Sequence, residues 1–163
     1  TDPCVPEFSG GSWVELWFEN LSIDVDGEIA TIDLMMRNVV PVGGFQFTVC
    51  GAPESTCPAG AMDGVQLLNP LDGDSVVGDL ADEDDGWLIS ANPTSGLVIG
   101  FEFDLMLSGI TPGTGRLLQL SFYWPATGDL LDLDRSITSL TFSDLSSSRI
   151  GVEFVPYLFS CTE

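Results

Sequence analysis

Residues 97–124 read LVIGFEFDLMLSGITPGTGRLLQLSFYW, and the fold class follows from the alternation inside them. Leu97, Ile99, Phe101, Phe103, Leu105 and Leu107 take every second position, with Val98, Gly100, Glu102, Asp104 and Met106 between them. A period of two belongs to a strand with one face in a core and one towards water, so the odd positions are expected inside. Ser108–Gly115 then carries Pro112 and the glycines 109, 113 and 115, residues that turn the chain. Beyond it Leu118, Leu120, Phe122 and Trp124 alternate with Gln119, Ser121 and Tyr123. Two long strands joined by a Gly/Pro turn predict an antiparallel all-β core.

The flanks repeat the pattern. In 13–20, Val14, Leu16 and Phe18 are expected inside, while Trp13, Glu15, Trp17 and Glu19 face away. Residues 28–37 place Ala30, Ile32, Leu34 and Met36 on one side, and Phe45, Phe47 and Val49 continue it after a turn at 38–44. Further strands are expected at 65–68, 87–90, 137–142, 150–155 and 157–159, with acidic connections at 69–86 and 125–134. About eight or nine strands at this spacing describe a single β-sandwich domain over 1–163. Residues 1–12 (TDPCVPEFSGGS) read as an irregular lead-in that could reach another subunit.

Composition narrows the chemistry. There are 25 acidic residues against four arginines (37, 116, 135 and 149), no lysine and no histidine, for a net charge of −21. Such a surface repels nucleic acid and anionic membrane. Without His and Lys the usual general base, Schiff-base chemistry and the phosphate-loop lysine are missing. With so many acids a chance carboxylate pair carries no information about glycoside cleavage. The expectation is a protein that is not an enzyme.

Four cysteines permit three pairings, of which Cys50–Cys57 and Cys4–Cys161 are expected, one clamping a loop and one tying the ends. Disulfides mean an oxidising compartment, and the opening TDPC is what leader cleavage would leave. Asn20-Leu21-Ser22 is a glycosylation sequon. The run Asp82-Glu83-Asp84-Asp85 offers hard oxygens to calcium through Asp82, Asp84 and Asp85, or is a solvated acidic loop.

The stretches VDGEIATIDLMMRNVVPVGGFQF (25–47), GLVIGFEFDL (96–105) and ITPGTGRLLQLSFYW (110–124) resemble cohesin domains, jelly-roll sandwiches that bind dockerin modules. The resemblance lies in strand order and glycine placement across about residues 13–155. It implies a non-catalytic sandwich with a dockerin-type protein partner, and transfers no individual recognition residue.

Trp13 and Trp17 leave the first strand apolar on both faces, covered either by a loop or by a neighbour. From this stripe the leading expectation is an extracellular, adhesive, self-assembling fibre subunit whose copies join by strand addition or face packing at Trp13 and Trp17. The alternative is a cohesin-like module binding a dockerin-type protein or a carbohydrate, the latter through Trp13, Trp17 and Tyr123.

Overall fold

The computed structural model describes residues 13–24, 29–49, 66–82, 86–102, 109–123 and 137–155. They form β1 (Val14–Asp24), β2 (Ile29–Asn38), β3 (Gly44–Val49), β4 (Gln66–Leu67), β5 (Val76–Gly78), β6 (Trp87–Ala91), β7 (Leu97–Glu102), β8 (Gly113–Tyr123), β9 (Ile137–Ser143), β10 (Arg149–Ile150) and β11 (Val152–Phe154). One sheet runs β11-β1-β2-β8-β4, with β5 also on β8, and the other runs β10-β9-β3-β7-β6. All pairs are antiparallel except β1 with β11. The described residues hold no helix. The expected all-β sandwich is what forms. β4 falls in the strand expected at 65–68, and the two additions are β5, three residues long, and the division of 150–155 into β10 and β11. β5 lies inside the stretch read as an acidic loop.

Pattern and packing agree along most of the core. Val14, Leu16 and Phe18 of β1, Ala30, Ile32, Leu34 and Met36 of β2, and Leu118, Leu120 and Phe122 of β8 are all buried in one cluster. Leu117 joins them because β8 carries one extra residue there: Leu34 pairs with Leu118 and Met35 with Arg116. Trp87 is buried as a core residue, its ring stacked 5.8 Å from that of Phe45.

Three local readings change. First, β7 and β8 are not partners, since β7 pairs with β3 and β6 while β8 pairs with β2, β4 and β5. The glycine- and proline-rich turn therefore carries the chain from one sheet to the other. Second, the faces of β7 are reversed: Val98 and Glu102 are buried, whereas Phe101 is 42% exposed. The cause is Gly100, over which the ring of Phe45 lies so closely that a Cβ there would stand 2.3 Å from its Cζ. The aromatic volume on that side comes from β3, and Glu102 is kept inside by accepting the Gly109 N–H at 2.7 Å. Third, residues 150–155 are two strands in different sheets, with the crossing at Gly151, whose carbonyl accepts the N–H groups of Trp13 (3.1 Å) and Val14 (3.0 Å).

Candidate partner-binding face

The two sheets turn very different faces outward. On the six-stranded sheet the register puts Glu15, Glu19, Asp33 and Glu153 on the outside together with Arg37 and Arg116. Arg37 Nη2 donates to Glu15 Oε1 at 3.0 Å. Asp33 is a hub: Oδ1 accepts from Arg116 Nη1 and Gln119 Nε2, each at 3.2 Å, and Oδ2 accepts from Asn20 Nδ2 at 2.9 Å. Arg116 Nε also reaches Asp79 Oδ2 at 3.0 Å, just beyond β5. Burial pulls the Arg116 guanidinium down, but bonds and charge from Asp33 and Asp79 outweigh it and hold it above its ordinary value. The acids of this face outnumber its two arginines, and both arginines are held in ion pairs with them.

The outer face of the five-stranded sheet carries no such network. Strand pairing lines up Leu88, Phe101, Gly44, Ser143 and Arg149 across all five strands. The next row is Ser90, Ile99, Gln46 and Thr141, and the third is Leu97, Thr48 and Thr138. In a chain of net charge −21, these three rows contain no acidic residue, and Arg149 at the edge is their one charge. Leu88 (46% exposed) and Phe101, direct cross-strand partners, project from it, while Gly44 on the other side of Phe101 contributes no side chain. An apolar centre with a hydroxyl and amide surround, depleted of charge, is the composition of a protein-binding surface.

The residues singled out from sequence are dispersed. Trp13 is 52% exposed, beside Val39, whose N–H donates to the Trp13 carbonyl at 3.0 Å. Trp17 is only 4% exposed, packed on Met35 and Val155 within the same chain, with Nε1 donating to Glu19 Oε2 at 3.1 Å. Of the two expected covers for the outward Trp17, a loop or a neighbour, the first is met within this chain: Val155, just beyond β11, packs on it, its N–H bonding to Leu16 O at 2.7 Å. Strand addition is blocked at Val14–Leu16, where β2 and β11 flank β1 on both sides. The fibre reading loses the support that came from a doubly apolar first strand. Asn20 is exposed in a left-handed conformation (φ 58°) at an irregularity of the β1–β2 register, its side chain held by Asp33.

Tyr123 is half-buried, its hydroxyl bonded to Asp72 and accepting from Asn69, with no second aromatic beside it that would make a sugar platform among the described residues. Asp82 is described, and its carbonyl accepts the Trp87 N–H at 3.2 Å. Asp84 and Asp85, and the cysteines 4, 50, 57 and 161, lie outside the described residues. No group of three His, Cys, Asp or Glu side chains is placed to hold a metal ion among the described residues.

A scan of protein-family models finds no match, and a comparison with curated proteins finds none either. Solved structures do match. The cohesin–dockerin complex Coh-OlpC-Doc435 of Clostridium thermocellum, of type I, aligns at TM-score 0.55 and 12% identity over 88% of this chain and 89% of that one. The sixth cohesin of scaffoldin B from Acetivibrio cellulolyticus, in complex with the Cel5 dockerin, gives 0.55 and 12% over 88% and 94%. A non-cellulosomal cohesin from the archaeon Archaeoglobus fulgidus gives 0.52 and 11% over 86% and 85%. The chain has a cohesin-like fold.

Proposed function

We propose that this chain is a non-catalytic, extracellular binding module that holds a dockerin-type protein on the outer face of its five-stranded sheet. The observation that carries the reading is the uncharged face itself. In a chain with 25 acidic residues and four basic ones, three rows without an acid and with two projecting apolar side chains are best explained by a partner that covers them. Similar folds in complex with dockerins support the class of partner. Trp13 with Val39 is kept as a proposed secondary contact at one end of the sandwich.

The test is an array of dockerin modules, including Doc435 and the Cel5 dockerin, probed with the purified chain. At least one dockerin should bind, and Leu88→Asp or Phe101→Asp should weaken it at least about tenfold by placing a charge in the contact. Both residues are more than two-fifths exposed, so neither substitution should lower the melting temperature appreciably. If no dockerin binds, or binding ignores both substitutions, the proposal is wrong.

The disulfides Cys4–Cys161 and Cys50–Cys57 and a glycan on Asn20 accompany this extracellular reading as proposals. Non-reduced peptide mapping should recover those two linked pairs, and a Cys4 peptide joined to Cys50 or Cys57 would refute the pairing. The Asn20 side chain already holds buried Asp33, so occupancy of the sequon should be read in the same maps.

A further inference from the structure

Among the described residues the sandwich is open along one side, where β5 ends one sheet and β6 ends the other. Between them lies a slot of about 210 Å³ walled by Leu68, Pro70 and Val76 on one side and Ile89, Ala91 and Pro93 on the other. It is smaller than the roughly 300–1,000 Å³ of small-molecule sites, and suits side chains.

The register shows what the β6 edge offers. Glu102 N–H donates to Gly43 O at 3.3 Å, so the even-numbered residues of β7 direct their backbone groups to β3 and the odd ones to β6. Leu88 and Ser90, opposite Phe101 and Ile99, are therefore bonded to β7. Ile89 and Ala91 direct theirs the other way. Trp87 has the same parity, and its N–H leaves the sheet for Asp82 O at 3.2 Å. The edge WLISA contains none of the devices that blunt an open edge: no Lys, no Pro and no inward charge.

Charge selects the occupant. Asp74 lines the slot and Asp72 stands two residues before it, while Asp79, further along, is already paired with Arg116. A second copy of a chain at −21 is repelled from this edge.

We infer that the slot is a second docking site, taking an extended segment of a partner protein that adds to β6 as a strand. Alternate apolar side chains of the segment fill the slot, and the basic residues between them, on the other face of the added strand, are favoured by the chain's net charge of −21. This site is independent of the dockerin reading and uses different residues.

The probe is the peptide Ac-VRVRVR-NH2 added to the isotopically labelled full chain. Amide signals of Ser75, Val76, Ile89 and Ala91 should shift and saturate. Ac-VEVEVE-NH2, and Ac-VRVRVR-NH2 methylated on alternate backbone nitrogens, should each bind about tenfold more weakly or worse. Ala91→Pro removes an outward N–H that β7 does not use, and should also cost about tenfold while leaving distant signals in place. Asp74→Asn, on an exposed turn, should weaken the basic peptide alone. The inference is overturned if no slot amide shifts, if the acidic peptide binds as well, or if Ala91→Pro binds undiminished. A dimer in sedimentation that Ala91→Pro abolishes would make the occupant a second copy and overturn it too.

Discussion

Gly100→Val should destabilise the fold by about 3 kcal/mol or more, read as a lower urea midpoint, because overpacking a filled core forces neighbours off their rotamers. A Cβ at position 100 stands 2.3, 2.4 and 2.7 Å from Cζ, Cε1 and Cε2 of Phe45. That ring has nowhere to go. It is stacked 6.2 Å from Phe47, 5.8 Å from Trp87 and 5.7 Å from Phe142, and is itself buried. Phe45→Ala alone should cost about 3–5 kcal/mol as a core truncation. The two changes share one space, so Gly100→Ala added to Phe45→Ala should cost much less than Gly100→Ala alone. An unchanged midpoint for Gly100→Val would mean that the Phe45 ring does not lie over Gly100.

Arg37→Ala should cost about 2 kcal/mol, more than an ordinary surface pair, because it strands a buried carboxylate. Glu15 is 1% exposed, and Arg37 Nη2 lies 2.9 Å from its Oε2. The arginine side chain is 38% exposed, which keeps the figure below the roughly 3–5 kcal/mol of fully buried pairs. Adding Glu15→Gln to Arg37→Ala should recover part of the loss, since a neutral amide costs less to bury than an unpaired charge. Thermal melts of the two single variants and the double variant decide it. Strict additivity would show that the pair is not coupled.

The strands of the six-stranded sheet were legible because each obeys one rule locally. In β2 and β8 apolar residues recur at every second position and most of the intervening ones are polar, with Met35 and Leu117 among the exceptions, so most of the burial could be assigned without knowing the partner strand. β7 defeated the same rule for a reason that also lies in its sequence. Leu97-Val-Ile-Gly-Phe has apolar side chains on both parities, and its glycine reads as a gap. Whether a glycine marks the empty face or the face against which a ring packs depends on what lies opposite. Here that is Phe45, more than fifty positions away. Trp17 shows a related limit: its outward parity was legible, but whether a loop or a neighbour covers it was decided by Val155, about 140 positions further along.

The candidate face shows the same division. Composition alone established the acidity and the lack of His and Lys. It also set the periodicities that make two sheets. But Leu88, Phe101, Gly44, Ser143 and Arg149 come from five separate strands, and nothing in any one of them distinguishes a binding surface. Local alternation follows from near-neighbour chemistry and is written along the chain. A neutral surface and an open strand edge exist only where pairing register juxtaposes residues distant in sequence, and that register is set by the packing of the whole core.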